Sequence, residues 1–299
     1  MGVRNKPHNL LHFFVFERSC CRNMERKLFC EISPFTYKIS QQKEWVIRFA
    51  KDLVSGEKYA KEIKSEPLDN LVKSHASILI RRLNGVDLTL QQNKVQNLKI
   101  ASSKFTGLVI HPGETFSYWH LVGNPTEKKG YLPGLTISAR QTMGNGVGGG
   151  LCQLANMVHW LVLHSPLEVT ELHHHSDALF PDERRKVPFG TGTSVFYSKL
   201  DYRFKNTTDQ DVQILVWLDD EYLNGELRSE KAFEHRYRII EENDHFRNEN
   251  GTFYRISQIY KLTLDRETGE TLKKELILDN HSKVLYDYSL IPPEKIRND

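Results

Sequence analysis

The sequence predicts an α+β fold, with a mostly antiparallel sheet, a buried helix starting at Cys152 and a helical N-terminal region. Three observations carry this prediction. Helical periodicity is concentrated before residue 105, and one long apolar run follows Cys152. After Leu167 the chain breaks into short runs of β-branched and alternating residues separated by turn residues, the pattern of antiparallel strands. Helices gathered beside such a sheet make an α+β architecture.

In chain order, Glu44–Val54 places Trp45, Phe49 and Leu53 on one helical face. Leu71, Val72, Ala76, Ile78 and Leu79 suggest a second helix. Residues 90–104, with Val95, Leu98 and Ile100, suggest a third. From residue 105 glycine and proline punctuate the chain. Thr106–Ile110 reads as a strand, Pro112-Gly113 as a turn and Glu114–Trp119 as an alternating strand. The stretch from Cys152 to His164 is apolar around most of its circumference, so a helix there is buried. Ser165-Pro166 stops it. Leu167–Leu172 reads as a strand, as do Ser194–Phe204, Val212–Leu218, Tyr222–Arg228, His235–Glu241, Phe253–Leu264 and Leu272–Leu278. Glu267–Glu270 is a hairpin turn between the last two. Three parts are expected: a mixed, partly helical region 1–85, a central domain 90–230, and a β-hairpin extension of the same sheet over 231–299.

The chemistry points to Cys152. Gly148-Gly149-Gly150-Leu151-Cys152-Gln153 ends a glycine-rich turn in a thiol at a helix start. Backbone N–H groups and the helix dipole stabilise a thiolate at such a place. Gln153 adds a backbone N–H beside any developing oxyanion. The run of glycines has no following Lys-Ser/Thr, so it is not a phosphate loop. Downstream, the Leu167–Leu172 strand runs into His173-His174-His175-Ser176-Asp177. Cysteine peptidases and transferases of unrelated folds pair a helix-start Cys with a His on a neighbouring strand. His173 and His175 share one strand face and are the candidate bases. The same alternation suits a metal, with His164 or Asp182 closing the site. No i, i+4 histidine pair or Cys-rich cluster accompanies it, so neither a metal nor any other cofactor is predicted. His159 and His164 fall on the apolar helix as core or helix-end residues.

Taken together, Asn97–Ala101, His111-Pro112-Gly113-Glu114-Thr115-Phe116-Ser117-Tyr118-Trp119, Gly130-Tyr131, the Gly148–Gln153 core, Glu171–Ser176 and Asp201–Thr207 resemble the VanW family over roughly residues 90–230. That resemblance implies a link to glycopeptide resistance and peptidoglycan metabolism. Some multidomain members displayed outside the membrane are associated with L,D-transpeptidation, which would make Cys152 the acyl-accepting nucleophile and His173 or His175 its base. Glu114 and Ser117 lie in a family motif and are candidate groove residues. The implied function is a cysteine-dependent acyl transferase or hydrolase acting on a peptidoglycan stem peptide or precursor. The alternative is an accessory protein that binds such a ligand, or a partner protein, without turnover. One departure stands out. Many members carry Gly-x-Asp-Ala-Thr-Val, whereas this chain reads Gly190-Thr191-Gly192-Thr193-Ser194-Val195. Gly192 occupies the Asp position, leaving Asp177, Asp182 and Asp201 as candidates for an orienting acid.

Composition bounds the rest. The 299 residues are 39% hydrophobic and 26% charged, with a net charge of +3. These are the values of an ordinary globular chain and argue against nucleic-acid binding. No segment reaches the length of a membrane span. Leu10–Phe16 is short, contains a His and lacks a small-residue cleavage site, so no secretory signal is read. Cys20, Cys21, Cys30 and Cys152 show no zinc or disulfide spacing, and a reduced, cytoplasmic protein is expected. A cytoplasmic member would act on soluble precursors ending in D-Ala or D-lactate.

Overall fold

The structure is a computed structural model. It describes residue 29 and residues 32–80, 87–137, 143–174, 177–179, 181 and 187–297. The chain divides into two units, residues 1–42 and 43–299. Cys20, Cys21, Cys30, Leu10–Phe16, His175 and Asp182 lie outside the described residues.

The described elements confirm the α+β class. Helix α1 (Pro34–Ser55) is followed by strands β1 (Glu62–Ile63) and β2 (Asn70–Ile78), then α2 (Leu88–Ser102). Strands β3 (Leu108–Ile110) and β4 (Thr115–Ser117) lead into the short helix α3 (Tyr118–Val122). The hairpin β5 (Pro133–Ile137) and β6 (Met143–Val147) precedes helix α4 (Cys152–Leu163). Then come β7 (Glu168–Glu171), β8 (Asp177–Ala178), β9 (Arg203–Lys205), β10 (Val212–Leu218) and β11 (Tyr222–Ser229). The last four are β12 (His235–Glu249), β13 (Thr252–Asp265), β14 (Thr271–Val284) and β15 (Ile296–Arg297).

The main sheet has the order β1-β3-β10-β11-β2 with antiparallel pairing throughout. Leu98 and Ala101 of α2 and Leu154, Val158, Leu161 and Val162 of α4 pack into one apolar core with Ile110, Ile214, Val216 and Leu223 of this sheet. Burying such aliphatic side chains contributes roughly 1.5–3 kcal/mol each, so α4 is held by its surroundings more than by its caps. Phe105, Phe116, Tyr118, Tyr202 and Phe204 extend the core toward the small sheet β4-β9-β7.

Four expectations are corrected. Leu71–Leu79, read as a helix, forms strand β2 and pairs with β11 from Asn70↔Ser229 to Tyr222↔Ile78. Its short apolar run suits either period, and the partner strand decides. Glu114–Trp119 is a strand only to Ser117. There the Ser117 side chain accepts from His120 N–H and caps α3, the usual reason for a helix to begin. Ser194–Phe204 contributes only an isolated Phe196↔Leu200 bridge and the start of β9. The region expected to extend the main sheet forms instead its own, ordered β15-β12-β13-β14-β8. Trp160 and Leu163 of α4 pack on Ile239 and Ile259 of that second sheet.

Candidate active site at the start of the buried helix

The glycine turn is held by packing at its backbone. A side-chain carbon added at Gly149 would lie 2.2 Å from the Gly134 carbonyl, and one at Gly150 (φ +91°) would lie 2.1 Å from Lys94 Cγ. Only glycine fits such approaches. Gly148 N–H donates to Leu132 O at 3.1 Å. Buried Asn97 locks the turn to the β5 side, with Nδ2 donating to Leu132 O and Gly149 O and Oδ1 accepting from Leu132 N–H. The turn therefore delivers Cys152 to a fixed position at the first residue of α4, a helix end that no side chain caps.

Cys152 is partly exposed. Its Sγ donates to Val195 O at 3.7 Å. Burial pushes the thiol pKa up. The resting group is a neutral thiol. Gln153 N–H is committed to Gly150 O at 3.0 Å, and its side chain ties α4 to β2 through Ser77 Oγ and Ile78 O. That places Gln153 among the groups that hold the helix.

The segment carrying Val195 lies along the polar side of α4. Asn156, one turn beyond Cys152, accepts from Thr193 N–H at 2.6 Å. A side chain at Gly192 would meet Asn156 Oδ1 at 3.2 Å, so an Asp there would sit against this amide. Thr193 Oγ1 is buried without a partner among the described residues. A further turn on, His159 borders a cleft of about 330 Å³ lined also by Val169, Leu172, His174, Thr191 and Lys261. Burial pushes His159 down to about 3, so it is neutral, and its Nδ1 pairs with Tyr202 OH at 3.2 Å. His164 is lowered to about 4 for the same reason and pairs with Trp160 O.

Two of the three clustered histidines are described. His173 O accepts from Ser194 N–H at 2.6 Å, which puts His173 beside the segment whose Val195 O receives the thiol. Its Nε2 pairs with Glu171 Oε1 at 2.9 Å. His174 Nδ1 pairs with Gly190 O at 3.0 Å. No imidazole nitrogen of the described residues hydrogen-bonds Cys152. Burial acts to raise the Glu171 carboxyl, but His173, the Asp201 N–H, Arg48 and Arg203 outweigh it and hold the group below its ordinary value. A carboxylate fixed on one imidazole nitrogen orients the ring and leaves Nδ1 for a second partner, which is the role sought for an orienting acid.

Behind Glu171 lies a charge network that sequence reasoning missed. Asp201 is buried at 1% exposure. Its carboxylate accepts from Ser117 Oγ (2.6 Å), Trp119 N–H, Tyr202 N–H and Arg203 Nε (2.8 Å). Arg203 also forks onto Asp52 at 2.7 and 2.8 Å and reaches Tyr59 OH. Arg48 forks onto Glu171. Burial acts to raise the Asp52 carboxyl, yet Arg203 and Arg48 bring it below its usual value. Asp201 and Ser117 thus join β4, α3, β9 and α1. Glu114 serves its own turn: His111-Pro112-Gly113-Glu114 closes with Glu114 N–H on His111 O at 2.9 Å and Gly113 at φ +81°, a type II turn. The Glu114 carboxylate accepts from His111 N–H at 3.0 Å. Among the described residues no three His, Cys, Asp or Glu side chains converge to hold a metal, and no helix is long and apolar enough to cross a membrane.

Comparison with known proteins meets this geometry in the same region. A family model described as VanW like protein matches residues 93–228, the stretch from α2 through β11. The Vancomycin B-type resistance protein VanW of Enterococcus faecalis is 31% identical over 263 residues, 88% of this chain and 95% of the relative. The Uncharacterized protein YoaR of Bacillus subtilis is 28% identical over 123 residues, 41% of this chain and 39% of its own. No solved structure matches. With the glycine turn, Cys152, Ser117, Glu171, Asp201 and Arg203 inside the matched stretch, and with nearly the whole length of the enterococcal protein covered, the chain belongs to the VanW family.

Proposed function

We propose that this chain acts on the stem peptide of peptidoglycan or of its precursor, in the vancomycin-resistance setting that its enterococcal relative's name states, with Cys152 as the nucleophile of an acyl transfer or hydrolysis. The observation that supports it is the convergence of Cys152 at an uncapped helix start and the Glu171-oriented His173 on one short segment, Ser194-Val195. Because the resting thiol is neutral, a histidine acts as base during the attack, as in hydroxyl nucleophiles. Sγ bonds to the peptide carbonyl carbon while its proton passes to imidazole. The C–N bond then breaks, the imidazolium proton goes to the leaving amine, and a thioester remains. An incoming amine or water cleaves the thioester and restores the thiol. His173 is the described candidate base; His175 is the other.

A second reading has its own support. The Val195 hydrogen bond and the burial that raises the thiol also suit a protein that binds the same peptide without turnover. Incubation with a D-Ala-terminated stem peptide followed by intact-mass measurement separates the two. The catalytic reading expects a covalent adduct on the wild-type chain that is absent from Cys152→Ala. Equal peptide affinity of both proteins with no adduct on either would leave the binding reading in its place.

A further inference from the structure

The second half of α1 is docked the wrong way round for a soluble helix. Arg48 and Asp52 face the body of the protein, where they pair with Glu171 and Arg203. Trp45, Val46, Ile47, Phe49, Leu53 and Val54 face outward, with Phe49 56%, Leu53 73% and Val54 83% exposed. At 100° per residue these side chains sweep an arc of roughly 200°. Trp45 and Phe49 stack at 5.5 Å within it. Single exposed apolar residues need no explanation, but a contiguous patch of this kind marks a contact surface. Lys43 stands at its N-terminal end and Lys51 on its rim, both exposed. Charge is also divided unevenly along the chain. Residues 1–55 hold ten Lys and Arg against five Asp and Glu, while the remaining residues hold 31 against 33. Within residues 43–55 themselves, Lys43, Arg48 and Lys51 stand against Glu44 and Asp52. An apolar arc with an aromatic centre and lysines on its border is the chemistry of a helix that lies in the surface of an anionic bilayer.

We infer that α1 is a peripheral anchor, seating Trp45, Phe49 and Leu53 among the acyl chains of an anionic membrane surface while Lys43 and Lys51 meet its headgroups. The ion pairs of Arg48 and Asp52 hold the body against the helix and leave that face free. This inference does not depend on the chemistry of Cys152. It is tested by co-sedimenting the full chain with vesicles of phosphatidylglycerol and phosphatidylcholine, and with vesicles of phosphatidylcholine alone. Strong pelleting with the anionic vesicles is expected, and little with the neutral ones. Phe49→Ser with Leu53→Ser should abolish it. Lys43→Glu with Lys51→Glu should weaken it more than tenfold, since each lysine near an anionic surface contributes roughly a factor of five. A blue shift of tryptophan emission on mixing, lost in Trp45→Phe, would place the helix in the bilayer. All these positions are exposed, so the variants should keep the wild-type melting temperature. No pelleting, or pelleting unaffected by Phe49→Ser with Leu53→Ser, overturns the inference. So does a dimer in solution that those two substitutions dissociate, which would assign the face to a second copy of the chain.

Discussion

The buried Asp201 carboxylate accepts four hydrogen bonds. Its four donors come from β4, α3, β9 and Tyr202 just before β9, and Arg48 lies 3.8 Å away. A buried carboxylate is stable only when its lone pairs are met. Asp201→Ala would leave Ser117 Oγ, two backbone N–H groups and part of Arg203 unmatched. The expected loss is about 3–5 kcal/mol, read as a lower denaturation midpoint in urea with an unchanged slope. A loss below about 1 kcal/mol would mean that the network only decorates the fold. His111 is a milder case. Its ring lies between Asp211 Oδ1 at 2.7 Å and Glu62 Oε2 at 2.9 Å, and these hydrogen bonds raise its pKa. A raised histidine stabilises the fold fully below its unfolded value and loses that contribution as pH rises through the folded value. The ring is about a third exposed (37%), so solvent screening keeps the effect under about 1 kcal/mol. His111→Gln should therefore lower Tm by about 1–3 °C at pH 5.5 and leave it unchanged at pH 8.5. A difference of the same size at both values would assign His111 to packing.

At the scale of elements, the glycine turn shows what the sequence made legible. The turn, the buried α4 and its stop at Ser165-Pro166 could be read because each rests on neighbours in the chain: glycines, an apolar run, a proline. The reason for the glycines could not. Gly149 abuts Gly134, and Asn97, 52 residues upstream, holds Gly149 O. Asp201 was weighed from sequence only as an orienting acid. Its partner Ser117 is 84 residues away, and nothing local separates a buried Asp from a solvated one. Strand β2 was misread for the same reason, since β11 lies about 150 residues on and supplies the pairing. The packing account has a consequence. Gly149→Ala forces a methyl group into the Gly134 carbonyl, so the turn must shift, at a cost of roughly 2–4 kcal/mol. Iodoacetamide should then alkylate Cys152 faster than in the wild-type chain at pH 7, because the displaced turn uncovers the thiol. An unchanged rate together with unchanged stability would show that the turn yields without strain.

Across the whole molecule, two sheets meet α4 from different sides and differ in how they are held. The main sheet is backed by α2 and α4, and Val212, Ile214, Val216, Leu223 and Leu227 are wholly buried or nearly so. The second sheet relies on two small clusters, Ala178-Phe189-Phe246-Val284-Ile291 and Trp160-Leu163-Ile239-Ile259. Residues 271–276 at the start of β14 are exposed on both faces, and their hydrogen bonds to β13 lie beside the hairpin turn after Asp265. Strand pairs without apolar cover open with little free energy, whereas core strands open only with global unfolding. Amide hydrogen exchange should therefore divide the chain. The slowest amides are expected in β10, β11 and α4, and those of 260–265 and 271–276 should exchange orders of magnitude sooner. Ile259→Ala tests the connection between the two parts. Ile259 is fully buried against the α4 side chains, and its truncation should cost about 2–5 kcal/mol. If the second sheet is a separate cooperative unit, that loss will speed exchange in β12–β14 and leave β10 and β11 at their wild-type rates. If α4 transmits the loss, exchange in β10 and β11 will quicken by the same factor, and the described chain beyond residue 43 unfolds as one unit through the Trp160-Leu163 contact.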